Sequence, residues 1–137
     1  WNEYINSPGY NSWRGNSFEI VCLNHINQIK SALGISGIET NEFAWKSSNT
    51  EKGAQIDLII SRKDGVINLC EMKYTNDAYS LDAEEHEKIM NRLSKFQKEM
   101  GTKEAIHITL ICGNGYKQSK YSGSVQNVIL GDDLFDN

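Results

Sequence analysis

No stretch of this 137-residue chain is long and apolar enough to cross a membrane or to act as a secretory leader, which predicts a soluble domain working in the cytoplasm. Cysteine is scarce too. Cys22, Cys70 and Cys112 are odd in number, widely spaced and set in apolar runs, so they read as reduced core residues, neither disulfides nor a zinc site. Basic charge is in deficit: 14 Lys and Arg against 18 Asp and Glu leave a formal net charge of −4, whereas nucleic-acid binders usually carry a basic footprint. That balance leaves such a function open, because part of the acidity would belong to a metal site. No G-x-S-x-G nucleophile elbow is present. The run GNGYKQSK lacks the G-K-[ST] ending of a P-loop, so it predicts no ATP binding. His25, His86 and His107 stand isolated and read as structural or solvated residues. Repeats and low-complexity segments are absent, and 39% hydrophobic with 23% charged residues fit one globular domain over 1–137. The start at Trp1, with polar and aromatic residues up to Ser12, reads as a fragment of a larger protein in which 1–12 end a linker.

What is present is a regular alternation of helix-like and strand-like patterns. Ser17 to Leu33 repeats apolar residues at Phe18, Cys22, Ile26, Ile29 and Leu33 and stops at Gly34, predicting a helix with Glu19 in its first turn. Ile38 to Trp45 reads as a first strand. The runs Gln55 to Ile60 and Val66 to Tyr74 are rich in β-formers and flank the turn signal Lys63-Asp64-Gly65, so they predict a hairpin. Ser80 to Met100 opens with acidic residues, carries Ile89, Leu93, Phe96 and Met100 at helical spacing, and stops at Gly101. Ala105 to Cys112 reads as a buried strand, Ser124 to Leu130 as another, and Asp132 to Phe135 as a terminal helical turn. The predicted class is α/β, a mixed central sheet flanked by helices, in the order α-β-β-β-α-β-β.

Three polar residues interrupt the hairpin: Asp57 on its first run, and Glu71 and Lys73 around Met72 on its second. A two-residue loop of Asp64 and Gly65 would set Asp57 against Met72. The glycine at the third loop position favours the three-residue form, which predicts Asp57 opposite Glu71, and Gln55 beside Lys73 on the same face. Carboxylates facing each other across a hairpin repel unless positive charge lies between them, and hard oxygen ligands suit Mg²⁺. Lys73 points to the same side, where an ammonium would orient a water or meet charge growing on a phosphate. A solvated Asp, Glu and Lys cluster explains the hairpin by itself equally well.

The element order sharpens the choice. With Glu19 on the first helix, Asp57 on the second strand and Glu71-Met72-Lys73 on the third, the chain resembles the PD-(D/E)XK nuclease superfamily, the restriction-endonuclease-like fold. Trp13-Arg14-Gly15-Asn16-Ser17-Phe18-Glu19, Gly53-Ala54-Gln55-Ile56-Asp57 and Cys70-Glu71-Met72-Lys73-Tyr74 resemble the nuclease-like C-terminal domain of archaeal-type P-loop ATPases. Ile56 stands where the superfamily pattern has proline. The resemblance implies a Mg²⁺ or Mn²⁺ site made by Asp57, Glu71 and the Met72 carbonyl, with Glu19 as auxiliary ligand and Lys73 as catalytic lysine. It also implies DNA as substrate and an ATPase domain upstream; a nuclease-like accessory module that binds nucleic acid or protein without cutting is the alternative. Asn16 and Glu19 nearly match a capping box, so the residues leave Glu19 open between a helix cap and metal support. For phosphate contact the candidates are Lys117 and Lys120, alternating with Tyr116 and Tyr121 in the Gly-rich connection from 113 to 123, and otherwise an ordinary solvent loop. Arg92 and Lys95 lie on the following helix, facing either the site or solvent.

Overall fold

The computed structural model describes residues 8–48 and 54–135, with side chains from residue 16 onward. Residues 1–7 of the expected linker, the side chains of Trp13 and Arg14, and Gly53 of the expected motif lie outside the described residues. Five strands build one sheet in the spatial order β1 (Thr40–Lys46), β2 (Gln55–Arg62), β3 (Val66–Lys73), β4 (Ala105–Cys112), β5 (Asn127–Leu130). The first three strands form an antiparallel meander; β4 joins β3 in parallel and β5 joins β4 in parallel. A parallel pair requires a crossover, and the helix between β3 and β4 provides it.

Helices α1 (Pro8–Leu23) and α2 (Ile26–Ala32) cover one face with the short terminal helix α4 (Gly131–Phe135), and α3 (Ala83–Met100) covers the other. On the first face Phe18, Cys22, Ile29 and Leu134 pack on Leu58, Ile60, Cys70, Ile111 and Ile129. On the second, Phe96 packs with Trp45, Ile56, Ile59, Ile67 and Leu69, and Ile89 with Leu81, Ile108, Leu110 and Cys112. All three thiols are free and buried, as expected of core residues. Among the described residues no helix is long and apolar enough to cross a membrane.

Several boundaries differ from the sequence expectation for local reasons. The helix expected over Ser17 to Leu33 begins earlier, at Pro8, so residues 8–12 belong to α1 and not to a linker. It then breaks: the His25 ring donates from Nδ1 to the Val21 carbonyl at 2.6 Å, terminating α1, and His25 occupies the position before α2. Asn16 consequently lies inside α1, which removes the capping box and with it the cap role for Glu19. The second long helix starts at Ala83 because Asp82 caps it, accepting from the Glu85 N–H at 2.8 Å, and it ends where Gly101 turns left-handed at φ 61°. The last strand is shorter than expected, since Ser122–Ser124 form a 3₁₀ turn before Asn127.

Two glycines set how closely the end of the chain approaches the sheet. A side-chain carbon on Gly131 would lie 2.3 Å from the Gly113 carbonyl oxygen, and backbone cannot yield as a flexible side chain does. Around Gly37 nothing lies within 4 Å of that position. Gly131→Ala should therefore lower unfolding free energy by about 2 kcal/mol or more, while Gly37→Ala stays within about 0.5 kcal/mol, as read by urea denaturation of both variants.

Candidate active site at the open end of the hairpin

The hairpin closes as its glycine predicts. Ser61 pairs with Ile67, Ile60 with Asn68, Ile59 with Leu69 and Leu58 with Cys70, leaving Lys63, Asp64 and Gly65 in the loop, with Gly65 at φ 88°. The paired residues end at Leu58 and Cys70, one position short of Asp57 and Glu71. The other neighbour of β2 adds something the sequence did not show. Phe43 pairs with Ile59 and Trp45 with Ile56, so two steps along β1 match three along β2, and the extra residue lies at Asp57 and Leu58. Such a bulge re-aims the side chains it carries. It is why Ile56 and Ile59, three apart, both reach the cluster under α3.

Asp57 is half-buried and accepts a hydrogen bond from Gln55 Nε2 at 2.8 Å. Glu71, only 9% exposed, is in direct contact with the Arg92 guanidinium of α3. Burial pushes its carboxyl above the ordinary 4.5, with Asp57 adding to the rise and Arg92 and Lys73 opposing it. Glu19, from α1, is likewise raised, first by burial and then by the negative charge of Asp57 and Glu71, while Lys73 acts the other way. Glu19, Asp57, Glu71 and Lys73, from three elements, therefore share one electrostatic neighbourhood. Among the described residues no three His, Cys, Asp or Glu side chains gather as a ready-made metal cage.

Lys73 reaches α3 as well, its Nζ 2.9 Å from Glu85 Oε2, which holds the Glu85 carboxyl below its ordinary value. The same ammonium lies 5.8 Å from the centre of the Tyr79 ring. Tyr79 is 9% exposed and its hydroxyl has no hydrogen-bond partner among the described residues. Burial keeps that hydroxyl protonated, and the carboxylates of Glu85, Asp82 and Glu71 act in the same direction. Its backbone is fixed on both sides, donating to the Gly115 carbonyl at 2.9 Å and accepting from the Lys117 N–H at 2.8 Å.

Three members of this neighbourhood do not stand out in the sequence as site residues: Arg92 reads equally as facing the site or solvent, and Glu85 and Tyr79 carry no motif. A signal existed for the first two. Glu85, Ile89, Arg92 and Phe96 follow the 4-3-4 spacing of one helix face, so two charges interrupt the stripe that carries Ile89 and Phe96 into the core. Tyr79 sits in a connection and left no pattern.

The Gly-rich connection departs from expectation in its aromatics. Tyr116 and Tyr121 pack against the cluster of Tyr79, Leu81, Ile89 and Cys112; Tyr116 Oη lies 2.5 Å from Ser122 Oγ, and Tyr121 stacks on His86 with ring centres 5.2 Å apart. Both rings are part-buried and anchor the loop. Lys117 and Lys120 are exposed, with Lys120 Nζ 5.3 Å from the Tyr121 ring centre.

No family model matches the chain, and no curated protein matches it. Among solved structures, the chain is similar to "Protein of Unknown Function AF1548", with a TM-score of 0.52 and 18% identity over 80% of this chain. The chain spans 56% of the length of that protein. At this identity the likeness speaks for the fold.

Raised carboxyls in the folded state bind protons more tightly than in the unfolded chain, so folding gains stability as pH falls through the window just above 4.5. Glu85 is lowered, and its contribution is present above that value and lost below it. In urea denaturation between pH 7.5 and 5, the wild type should gain stability relative to Glu71→Gln as the pH falls. A difference independent of pH would contradict burial as the dominant influence on Glu71.

Proposed function

We propose that the domain is a divalent-metal-dependent phosphodiesterase acting on DNA. What supports this reading is the mutual electrostatic influence of Glu19, Asp57, Glu71 and Lys73, carried by α1, β2 and β3. Repelling carboxylates in a half-buried site gain from a cation, and Mg²⁺ asks for only one or two carboxylates from a protein while keeping several waters. The donor chemistry fits: Asp57, Glu71 and the Met72 carbonyl would hold Mg²⁺ or Mn²⁺, with Glu19 in support. The Tyr79 hydroxyl, buried and without a hydrogen-bond partner among the described residues, is consistent with a polar group bound near it. A bound Mg²⁺ or Mn²⁺ would polarise the phosphate and activate water.

The chain's own residues do the rest. Lys73 brings a positive charge to one side of the site, where it would stabilise charge growing on a phosphate oxygen, and Glu85 holds the ammonium in place at 2.9 Å. Exposed Lys117 and Lys120, in the connection that bonds to Tyr79, would meet the backbone of the strand. A cleft of about 280 Å³ lined by Gly113, Asn114, Gly115, Leu130, Gly131 and Asp132 opens at the carboxyl ends of β4 and β5, a usual ligand position in α/β sheets. We place this domain after a P-loop ATPase domain in a cytoplasmic protein.

A second reading has an observation of its own. Glu71 and Lys73 are each paired with α3, an arrangement that satisfies both charges without a ligand and suits an accessory module that binds but does not cut.

Supercoiled plasmid incubated with Mg²⁺ or Mn²⁺ separates the two. Nicking should be present for the wild type and fall by about 10²-fold or more in Asp57→Ala and in Lys73→Ala. Calorimetry should show divalent binding lost in the first variant and kept in the second, with both melting as cooperative folded proteins. Intact plasmid and intact single strands with every protein, the wild type included, would support the accessory module.

A further inference from the structure

Resting on the nuclease reading, we propose that Arg92 is an exchangeable counter-ion: Glu71 trades it for a divalent cation, and the freed guanidinium takes an oxygen of the DNA phosphate. Three features of the molecule converge on this. A carboxylate as deeply buried as Glu71 is expensive to leave unpaired, so it keeps a cation in any state of the site. Arg92 supplies that cation now, in contact with the same carboxylate that the reading gives to the metal. Lys73, the other cation at hand, is held 2.9 Å away on Glu85 and stays available for the reaction.

The chemistry of the exchange is favourable for arginine in particular. A guanidinium presents a planar fork that fits a carboxylate and a phosphate equally, and it holds its charge throughout. Arg92 is 26% exposed at its side chain against 12% for Glu71, so the arginine is the more solvent-accessible partner of the pair. Two positive groups competing for one carboxylate repel each other, so binding of the ion and release of the arginine are coupled. The released charge would then face the substrate, which links metal loading to DNA affinity in a domain whose net charge is −4.

Titration calorimetry with Mn²⁺ in the absence of DNA tests the exchange, with wild type, Arg92→Gln, Arg92→Lys and Asp57→Ala compared under one buffer. Arg92→Gln should bind Mn²⁺ about tenfold more tightly than wild type because the competitor is gone. Arg92→Lys keeps a charge but loses the fork, and should shift affinity in the same direction by a smaller factor; it also serves if the glutamine variant does not fold. Fluorescence anisotropy of a labelled DNA duplex in Ca²⁺ should show weaker binding by Arg92→Gln than by wild type. Mn²⁺ affinity unchanged by both substitutions, with Asp57→Ala losing the ion, would overturn the exchange and leave the nuclease reading standing. No Mn²⁺ bound by any of the four proteins would overturn both.

Discussion

The desolvated carboxylate of Glu71 is the constraint around which the rest of this molecule is arranged. Strand β3 is central in the sheet, with β2 on one side and β4 on the other, and its residues from Ile67 to Glu71 are all buried. A charge there has little access to bulk water. Its neighbours must therefore supply compensation, and α3 does so by bringing Arg92 into contact with it. That demand explains an otherwise costly helix face, in which an arginine and a glutamate take positions that aliphatic residues would fill if packing alone were at stake. Replacing such a pair by apolar residues of like volume is often neutral or stabilising, so stability by itself gives little account of why the pair is there.

The fold was legible in the sequence because its signals are local. Gly65 at the third loop position specifies a turn, and the turn specifies the register from Ser61 and Ile67 to Leu58 and Cys70 without any knowledge of the rest of the chain. Asp82 and Gly101 mark α3 in the same way. Where the reading failed, the cause was a tertiary or side-chain interaction that no periodicity reports. The apolar spacing from Phe18 to Leu33 runs straight through the break between α1 and α2, because both helices bury the same face; the break comes from one imidazole bonding one carbonyl. Without the true start of α1, Asn16 looked like a cap.

The candidate site was legible in part, and the division has a physical basis. Residues that a strand places at alternate positions, such as Glu71 and Lys73, share a face by geometry alone. Which charge on another element meets them depends on how α3 crosses the sheet, and that is decided by Ile89 and Phe96 finding their pockets, not by the charges themselves. The bulge in β2 is hidden for a similar reason: it shows only against β1, whose pairing partner cannot be counted through a connection of undetermined shape. The tyrosines of the Gly-rich connection carry a packing role that their interleaving with lysines does not reveal: both rings lie part-buried against the cluster under α3.

The close approach of Gly131 to Gly113 ties two distant parts of the chain into one mechanical unit. Gly113 rests its backbone against Gly131 on one side, and on the other its N–H is held by the carbonyl of Lys73 at 3.0 Å. A displacement of the terminal helix is thus passed through a single residue to the strand end that carries the lysine. The stiffness of that linkage comes from having no side chain in it: backbone lies against backbone, and there is no rotamer to absorb the strain. Whatever pushes on α4 pushes, through Gly113, on the strand end that carries Lys73.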